Sequence, residues 1–127
     1  MPKTILIADD EPGIRSSLQK LLEFESYRVV LAEDGARALD ILRDRAVDLV
    51  LLDIGMPEMD GYEVCRRLKQ SPVLAGIPVI FISGLSETLD KVTAFGCGAV
   101  DYVTKPFQVE EIVARVATHL NLRQLQQ

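Results

Sequence analysis

The sequence predicts an α/β fold, a doubly wound sandwich in which helices cover both faces of a parallel sheet. Five short apolar runs alternate with segments of helical period, and four of the runs are nearly continuous in apolar residues. Continuous runs are typical of strands that are buried on both faces of a parallel sheet. The predicted strands are residues 4–8, 28–32, 48–53, 78–83 and 99–103.

The segments between these strands carry apolar residues three and four positions apart, which predicts a helix after every strand. The strongest pattern is the last one, at Ile112, Val113, Val116, Ala117 and Leu120. Pro12 suits the first turn of helix one, and the pairs Asp34-Gly35 and Asp60-Gly61 predict turns or helix caps. Regular alternation of strand and helix implies right-handed crossovers between parallel strands.

Length, charge and composition limit the classes of protein to which this chain can belong. The chain has 127 residues with 19 acidic and 14 basic side chains, a net charge of −5. This length suits one domain, and the negative charge argues against direct nucleic acid binding. The sequence contains no apolar run near the ~20 residues that span a bilayer, and no signal peptide pattern, which favours a cytoplasmic protein without a membrane partner. Two cysteines without a CxxC motif predict neither a disulfide framework nor a zinc site.

Polar side chains follow four of the predicted strands. Ligands of doubly wound sheets bind beyond the carboxyl ends of the strands, so these side chains are the candidates for a functional site. They are Asp9, Asp10 and Glu11 after strand one, Asp53 at the end of strand three, Ser83 at the end of strand four and Lys105 after strand five.

Clustered carboxylates repel each other, and a hard divalent cation such as Mg²⁺ resolves that repulsion. Asp53 then suits the role of carboxylate nucleophile in acyl-phosphate formation. Ser83 would donate a hydrogen bond to one phosphoryl oxygen, and Lys105 would neutralise another. Taken singly, the same residues have structural explanations: Asp10 and Glu11 suit a helix start, Asp53 and Ser83 suit turns, and Lys105 suits a solvated surface.

Four motifs together resemble the receiver (phosphoacceptor) domain of two-component response regulators. They are IADDE at 7–11, LVLLDIGMPEMDGYEVCRRLK at 49–69, VIFISG at 79–84 and GAVDYVTKPF at 98–107. The resemblance implies a flavodoxin-like (βα)5 sandwich with strand order 2-1-3-4-5, and a cis Lys105–Pro106 bond. It places the receiver domain at residues 3–121, with 122–127 as the start of a helical linker or an extended last helix.

The resemblance also implies a role for each site residue. Asp53 is the phosphoacceptor, Ser83 and Lys105 contact the phosphoryl group, and Ser83 and Tyr102 form the switch. The implied ligands of Mg²⁺, for which Mn²⁺ would substitute, are Asp10 directly, Asp9 mainly through water, Asp53, and the backbone carbonyl of Gly55. No further cofactor is implied.

In function, the resemblance implies a signalling switch that is not a conventional enzyme, although it assists its own phosphorylation and dephosphorylation. The phosphoryl group would come from a sensor histidine kinase or a histidine phosphotransfer protein. Phosphorylation would shift an existing equilibrium of the helix 4, strand 5 and helix 5 surface, residues 87–122, which controls an output domain or partner. Leu85 offers no group to orient water, which predicts slow hydrolysis of the acyl phosphate.

Three rival functions stay open at this point. A haloacid-dehalogenase-like phosphatase uses a similar nucleophile but needs a second acid two residues later, where this chain has Gly55. A flavin-binding module needs a loop that holds phosphate after strand one, where the sequence DDEPG would repel it. A degenerate receiver used only for protein contacts is disfavoured by the retained Asp10, Asp53, Ser83 and Lys105.

The end of the chain carries one more pattern. Leu120 continues the core stripe of the last helix, whereas Leu122 and Leu125 point to the other side at 100° per residue. Outward apolar residues favour a homodimer through the last helix, or a following helix, over a frayed solvated end. Basic residues at Arg115, His119 and Arg123 line a strip of the same helix.

Overall fold

The computed structural model describes residues 2–84 and 91–126. Five parallel strands form one sheet in the order β2-β1-β3-β4-β5, which confirms the predicted α/β sandwich and its strand order. The strands are β1 Thr4–Ala8, β2 Arg28–Ala32, β3 Leu49–Asp53, β4 Val79–Ser83 and β5 Asp101–Thr104. The helices are α1 Pro12–Phe24, α2 Gly35–Asp44, α3 Gly61–Gln70, α4 Lys91–Gly96 and α5 Val109–Gln126.

Burial follows the position of each strand in the sheet. All five residues of β3 and of β4 are buried, whereas β2 and β5 lie at the edges and are half-buried. The predicted bounds of β1 and β2 are confirmed, and β3 and β4 each begin one residue later than predicted. The fifth strand begins two residues later than the predicted residue 99, because the amide of Ala99 still bonds the carbonyl of Ala94 at the end of α4.

Two apolar layers sandwich the sheet. One contains Leu52 and Phe81 together with α2, α3 and Ala94 of α4, and the other contains Leu51 and Ile80 together with α1 and α5. Neighbouring residues of one strand therefore enter different layers, as the alternation of side chains along a strand requires. This explains why the predicted strands are continuously apolar.

The predicted cap residues cap α2 and α3, but not α1. The side chains of Asp34 and Asp60 accept the amides of Arg37 and Glu63, which caps α2 and α3. The first helix has Pro12 at its start, as predicted, but Glu11 at its N-cap makes no side-chain capping bond. Its carboxylate contacts Lys105 instead.

The last helix packs its basic strip onto the body of the domain. Arg115 and His119 contact Asp101 of β5, and Arg123 donates to the carbonyls of Val47 and Asp48. Side chains on the other side are open to solvent: Leu122 is 48% and Leu125 82% exposed. Among the residues described, no helix has the length and apolar character needed to cross a membrane.

Candidate active site

Three polar side chains are buried where the central strands end. Asp9 after β1, Asp53 at the end of β3 and Ser83 at the end of β4 are each at most 2% exposed. Asp10, the next residue along the chain, is exposed at the same edge. The structure thus brings together the strand-end residues that the sequence predicts, because parallel strands end at one edge of the sheet.

Local backbone contacts position the two buried carboxylates. Oδ1 of Asp53 accepts the amide of Gly55 at 3.1 Å, and Oδ1 of Asp9 accepts the amide of Glu11 at 2.9 Å. Gly61 approaches the end of β3 so closely that a Cβ atom there would lie 2.5 Å from the carbonyl oxygen of Asp53. The Asp60-Gly61 pair therefore has two functions: Asp60 caps α3, and Gly61 permits close packing behind the candidate site.

Asp9, Asp10 and Asp53 fit a divalent cation. Each offers one carboxylate oxygen, and these oxygens all lie within 4.8 Å of one another. Oδ2 of Asp9 is buried without a hydrogen-bond partner in the described part of the chain, and a desolvated carboxylate oxygen calls for a positive charge. An all-oxygen donor set is the one that Mg²⁺ prefers. The set lacks the imidazole and thiolate ligands that favour zinc.

Lys105 reaches this cluster from the other side. Its amide donates to the carbonyl of Ser83 at 2.7 Å, and its bond to Pro106 is cis, as predicted. The ammonium Nζ lies 3.2 Å from Oδ2 of Asp9, an ionic contact without hydrogen-bond geometry, and 3.8 Å from Oδ2 of Asp53. Burial lowers the pKa of Lys105, but Glu11, Asp53 and Asp9 outweigh burial and raise it, so the ammonium stays charged.

Gly55 and Tyr102 are the other predicted site residues that the structure describes. Gly55 is exposed and contributes its amide to Asp53. Tyr102 is half-buried on β5, with its ring 6.3 Å from that of Phe95 in an edge-to-face arrangement. Leu85 and residues 87–90 of the predicted switching surface lie outside the described residues.

Sequence reasoning missed Arg15, and it placed Glu11 among the strand-end acids without predicting the contact that Glu11 makes. Oε1 of Glu11 accepts a hydrogen bond from Nζ of Lys105 at 2.9 Å, and Nη1 of Arg15 donates to the carbonyl of Asp9 at 2.7 Å. Glu is a poor N-cap residue compared with Asp or Ser, which is the only local signal that the Glu11 side chain has another use. The contact with Lys105 joins residues 94 positions apart, so no local pattern indicates it.

Comparison with known proteins identifies the family. The family model of the response regulator receiver domain matches residues 5–117, which is most of the chain. The chain belongs to the response regulator receiver domain family. Over 120 residues this receiver domain is 45% identical to the response regulator GtcR of Aneurinibacillus migulanus, covering 94% of this chain and 48% of that protein.

A second curated relative and a solved structure are also similar to this chain. A probable cyclic di-GMP phosphodiesterase of Vibrio cholerae serotype O1 is 48% identical over 118 residues, which are 92% of this chain and 26% of that protein. A CheY-like response regulator receiver domain protein from Methanospirillum hungatei JF-1 has a crystal structure that superposes with a TM-score of 0.93 at 27% identity, covering 100% of both chains. The receiver domain spans about half or less of the length of these two curated relatives.

Proposed function

We propose that this receiver domain accepts a phosphoryl group on Asp53 in a Mg²⁺-dependent reaction. The observation that carries the proposal is the position of Asp53, a buried carboxylate within 4.8 Å of the oxygens of Asp9 and Asp10 and with Lys105 Nζ at 3.8 Å. A buried acid with a cation site on one side and an ammonium on the other is suited to bind an incoming anion.

Phosphoryl transfer would use the chain's own groups as follows. An oxygen of Asp53 attacks phosphorus, an oxygen–phosphorus bond forms, and the bond from phosphorus to the histidine nitrogen of the donor breaks with its electron pair returning to the ring. Lys105 then holds one equatorial oxygen and the hydroxyl of Ser83 another. Asp10 directly, Asp9 mainly through water, Asp53 and the carbonyl of Gly55 would hold Mg²⁺, which supplies positive charge that offsets both carboxylates and phosphoryl oxygens.

The proposed switch links Ser83 to Tyr102. Drawing the Ser83 hydroxyl towards a phosphoryl oxygen frees space into which the half-buried ring of Tyr102 moves. The described part of the responding surface is α4, β5 and α5, and the exposed Leu122 and Leu125 are the side chains proposed for a homodimer or a following helix. Residues 122–127 are proposed as the start of that extension beyond the receiver domain at 3–121.

The domain is proposed to be cytoplasmic. Its proposed partners are a sensor histidine kinase or histidine phosphotransfer protein, and an output domain or separate protein that reads the switch. The domain itself is proposed to have no nucleic acid or membrane partner and no turnover of external substrates. Its negative charge and the Gly at position 55, where a phosphatase needs an acid, support that assignment.

The test is intact-protein mass after incubation with acetyl phosphate, with and without Mg²⁺, on wild type, Asp53→Asn and Asp40→Asn. Asp40 is an exposed helix residue whose carboxylate lies 3.4 Å from the guanidinium of Arg43, far from the candidate site in the chain, so its substitution controls for loss of one acid. We expect one Mg²⁺-dependent phosphoryl adduct on wild type and Asp40→Asn and none on Asp53→Asn. An adduct that persists in Asp53→Asn, or none on folded wild type, contradicts the proposal and favours a receiver used only for protein contacts.

A further inference from the structure

Of the carboxylates in the described residues, three lie near the ammonium of Lys105 at unequal distances. Its shortest contact is the hydrogen bond of 2.9 Å to Oε1 of Glu11, followed by 3.2 Å to Asp9 and 3.8 Å to Asp53. A charge-assisted hydrogen bond from an ammonium to oxygen is about 2.7–2.9 Å long. Only the contact to Glu11 meets that distance, and the proposed phosphoacceptor is the most distant of the three.

Glu11 is placed to make this contact by its position at the start of α1. It is the N-cap residue, with extended backbone angles of φ −92° and ψ 114°, and its side chain makes no capping bond. Its carboxylate is 61% exposed while the Lys105 side chain is 11% exposed, so the pair lies at the mouth of the site. Glu11 follows β1 and Lys105 follows β5, so their hydrogen bond links the two sides of this opening.

When Asp53 is phosphorylated, the ammonium of Lys105 has to contact the phosphoryl oxygens. A phosphoryl group on Asp53 needs an ammonium within hydrogen-bond distance of its oxygens, and each lysine N–H can serve only one strong acceptor at a time. Lys105 has three N–H donors, so the Glu11 carboxylate competes with the phosphoryl group for the position of Nζ, which lies 2.9 Å from Glu11 and 3.8 Å from Asp53. The Glu11 carboxylate also adds a negative charge where an anionic donor has to enter.

We propose that Glu11 is a positioning residue that holds Lys105 towards the mouth of the site and away from Asp53, and so limits the rate at which Asp53 takes up a phosphoryl group. This inference rests on the proposed phosphoacceptor function of Asp53. Because Glu11 acts through Lys105 and is largely exposed, losing the contact should leave the fold intact. The size of the effect is that of an exposed ion pair, about two- to fivefold in rate.

The experiment compares phosphorylation rates of wild type, Glu11→Gln, Glu11→Asp and Glu33→Gln with acetyl phosphate and saturating Mg²⁺. In this reaction an Asp53 oxygen forms the new bond to phosphorus and acetate leaves with the electron pair of the broken phosphorus–oxygen bond. Glu11→Gln removes charge and the ionic contact, and Glu11→Asp keeps charge but shortens the reach by one methylene. Glu33 is exposed just beyond β2 at the same edge of the sheet, so Glu33→Gln measures the effect of charge alone.

We expect Glu11→Gln and Glu11→Asp to be phosphorylated about two to five times faster than wild type, with Glu33→Gln close to wild type. Equal rates in all four proteins, or slower rates in both Glu11 variants, overturn the role of Glu11 while leaving Asp53 as phosphoacceptor. A rate increase in Glu11→Gln and Glu33→Gln but not in Glu11→Asp also overturns it, because charge rather than contact would then be responsible. No adduct on wild type overturns the phosphoacceptor function itself, and the role of Glu11 with it.

A second readout does not depend on turnover. Beryllofluoride with Mg²⁺ is a static mimic of a phosphoryl group, and its affinity is measured by NMR titration of the backbone amides. The two Glu11 variants should bind it about two to five times more tightly than wild type, with unchanged thermal midpoints in the ligand-free proteins. Unchanged affinity in both variants contradicts the proposed competition for Lys105.

Discussion

Two clusters of charged side chains in this receiver domain differ in how far positive charge balances their carboxylates. The outer cluster, on β5 and α5, consists of Asp101, Arg115 and His119. Nη1 of Arg115 lies 2.6 and 2.7 Å from the two oxygens of Asp101, and Nε2 of His119 lies 3.0 Å from Oδ2. Burial raises the pKa of Asp101, but these partners and the amide of Tyr102 outweigh it and hold the pKa below its ordinary value.

In the site cluster, at the carboxyl ends of β1 and β3, the carboxylates outnumber the positive charge. Among the described residues, Asp9, Glu11 and Asp53 share the ammonium of Lys105, Asp10 lies beside them, and one oxygen of Asp9 has no hydrogen-bond partner. The outer cluster thus supplies its own counter-charge, whereas the site cluster has an excess of negative charge that the proposed Mg²⁺ would offset. The difference predicts that the outer cluster contributes to folding and that the site cluster is suited to the proposed binding of a cation and a phosphoryl group.

The largest expected effect is stabilisation by Mg²⁺. At 100 times its dissociation constant, Mg²⁺ should raise the free energy of unfolding by about 2.7 kcal/mol, since it binds only the folded site. Urea denaturation with and without Mg²⁺ measures this, and Asp101→Asn should show the same gain while Asp9→Asn shows much less. Equal gains in the two variants would mean that Mg²⁺ does not bind at the site cluster.

Removing the acid of the outer cluster should destabilise the protein. Asp101→Asn should lower the free energy of unfolding by about 1–2 kcal/mol, because a charged hydrogen-bonded pair is lost and Arg115 is partly exposed. Chemical denaturation at pH 7 measures it, with the exposed Asp40→Asn as control. An effect no larger than that of the control would show that the outer cluster contributes nothing to folding.

Removing an acid of the site cluster should instead stabilise the protein. Asp53→Asn should raise the free energy of unfolding by about 1 kcal/mol in the absence of divalent cations, because it relieves repulsion between buried carboxylates. The side-chain oxygen of Asn can still accept the amide of Gly55. Denaturation in chelator measures the change, and a destabilised variant would contradict the proposed excess of negative charge.

The smallest expected effect is the pH dependence of the outer cluster. The pKa of Asp101 is lower in the folded protein than the ordinary value of 3.8, so its stabilisation is complete above that value and is lost as the pH falls through the folded pKa. The difference in stability between wild type and Asp101→Asn should therefore shrink as the pH falls from 5 towards 2. A constant difference over that range would contradict the lowered pKa.

Local sequence patterns predicted most of the fold. The bounds of β1 and β2 and the caps at Asp34 and Asp60 are local events, set by apolar runs and by side chains that reach the next turn. The start of β5 was predicted two residues too early, because Ala99 and Val100 look apolar but precede the strand, and the amide of Ala99 still bonds the carbonyl of Ala94 in α4. Sequence reasoning also treated the basic strip of α5 as a pattern without partners. The structure pairs Arg123 with carbonyls 75 and 76 residues away.

By itself, the sequence determined the alternation of elements, the receiver domain family motifs, and the set of acids, hydroxyl and lysine at the strand ends. Those features depend on periodicity and on residue types, which a chain carries before it folds. Only the tertiary structure decided how the charges are shared: Glu11 faces Lys105 instead of capping α1, and Asp101 receives both Arg115 and His119. The physical reason is that ion pairing depends on distance in space, and distances between residues far apart in the chain are set by packing.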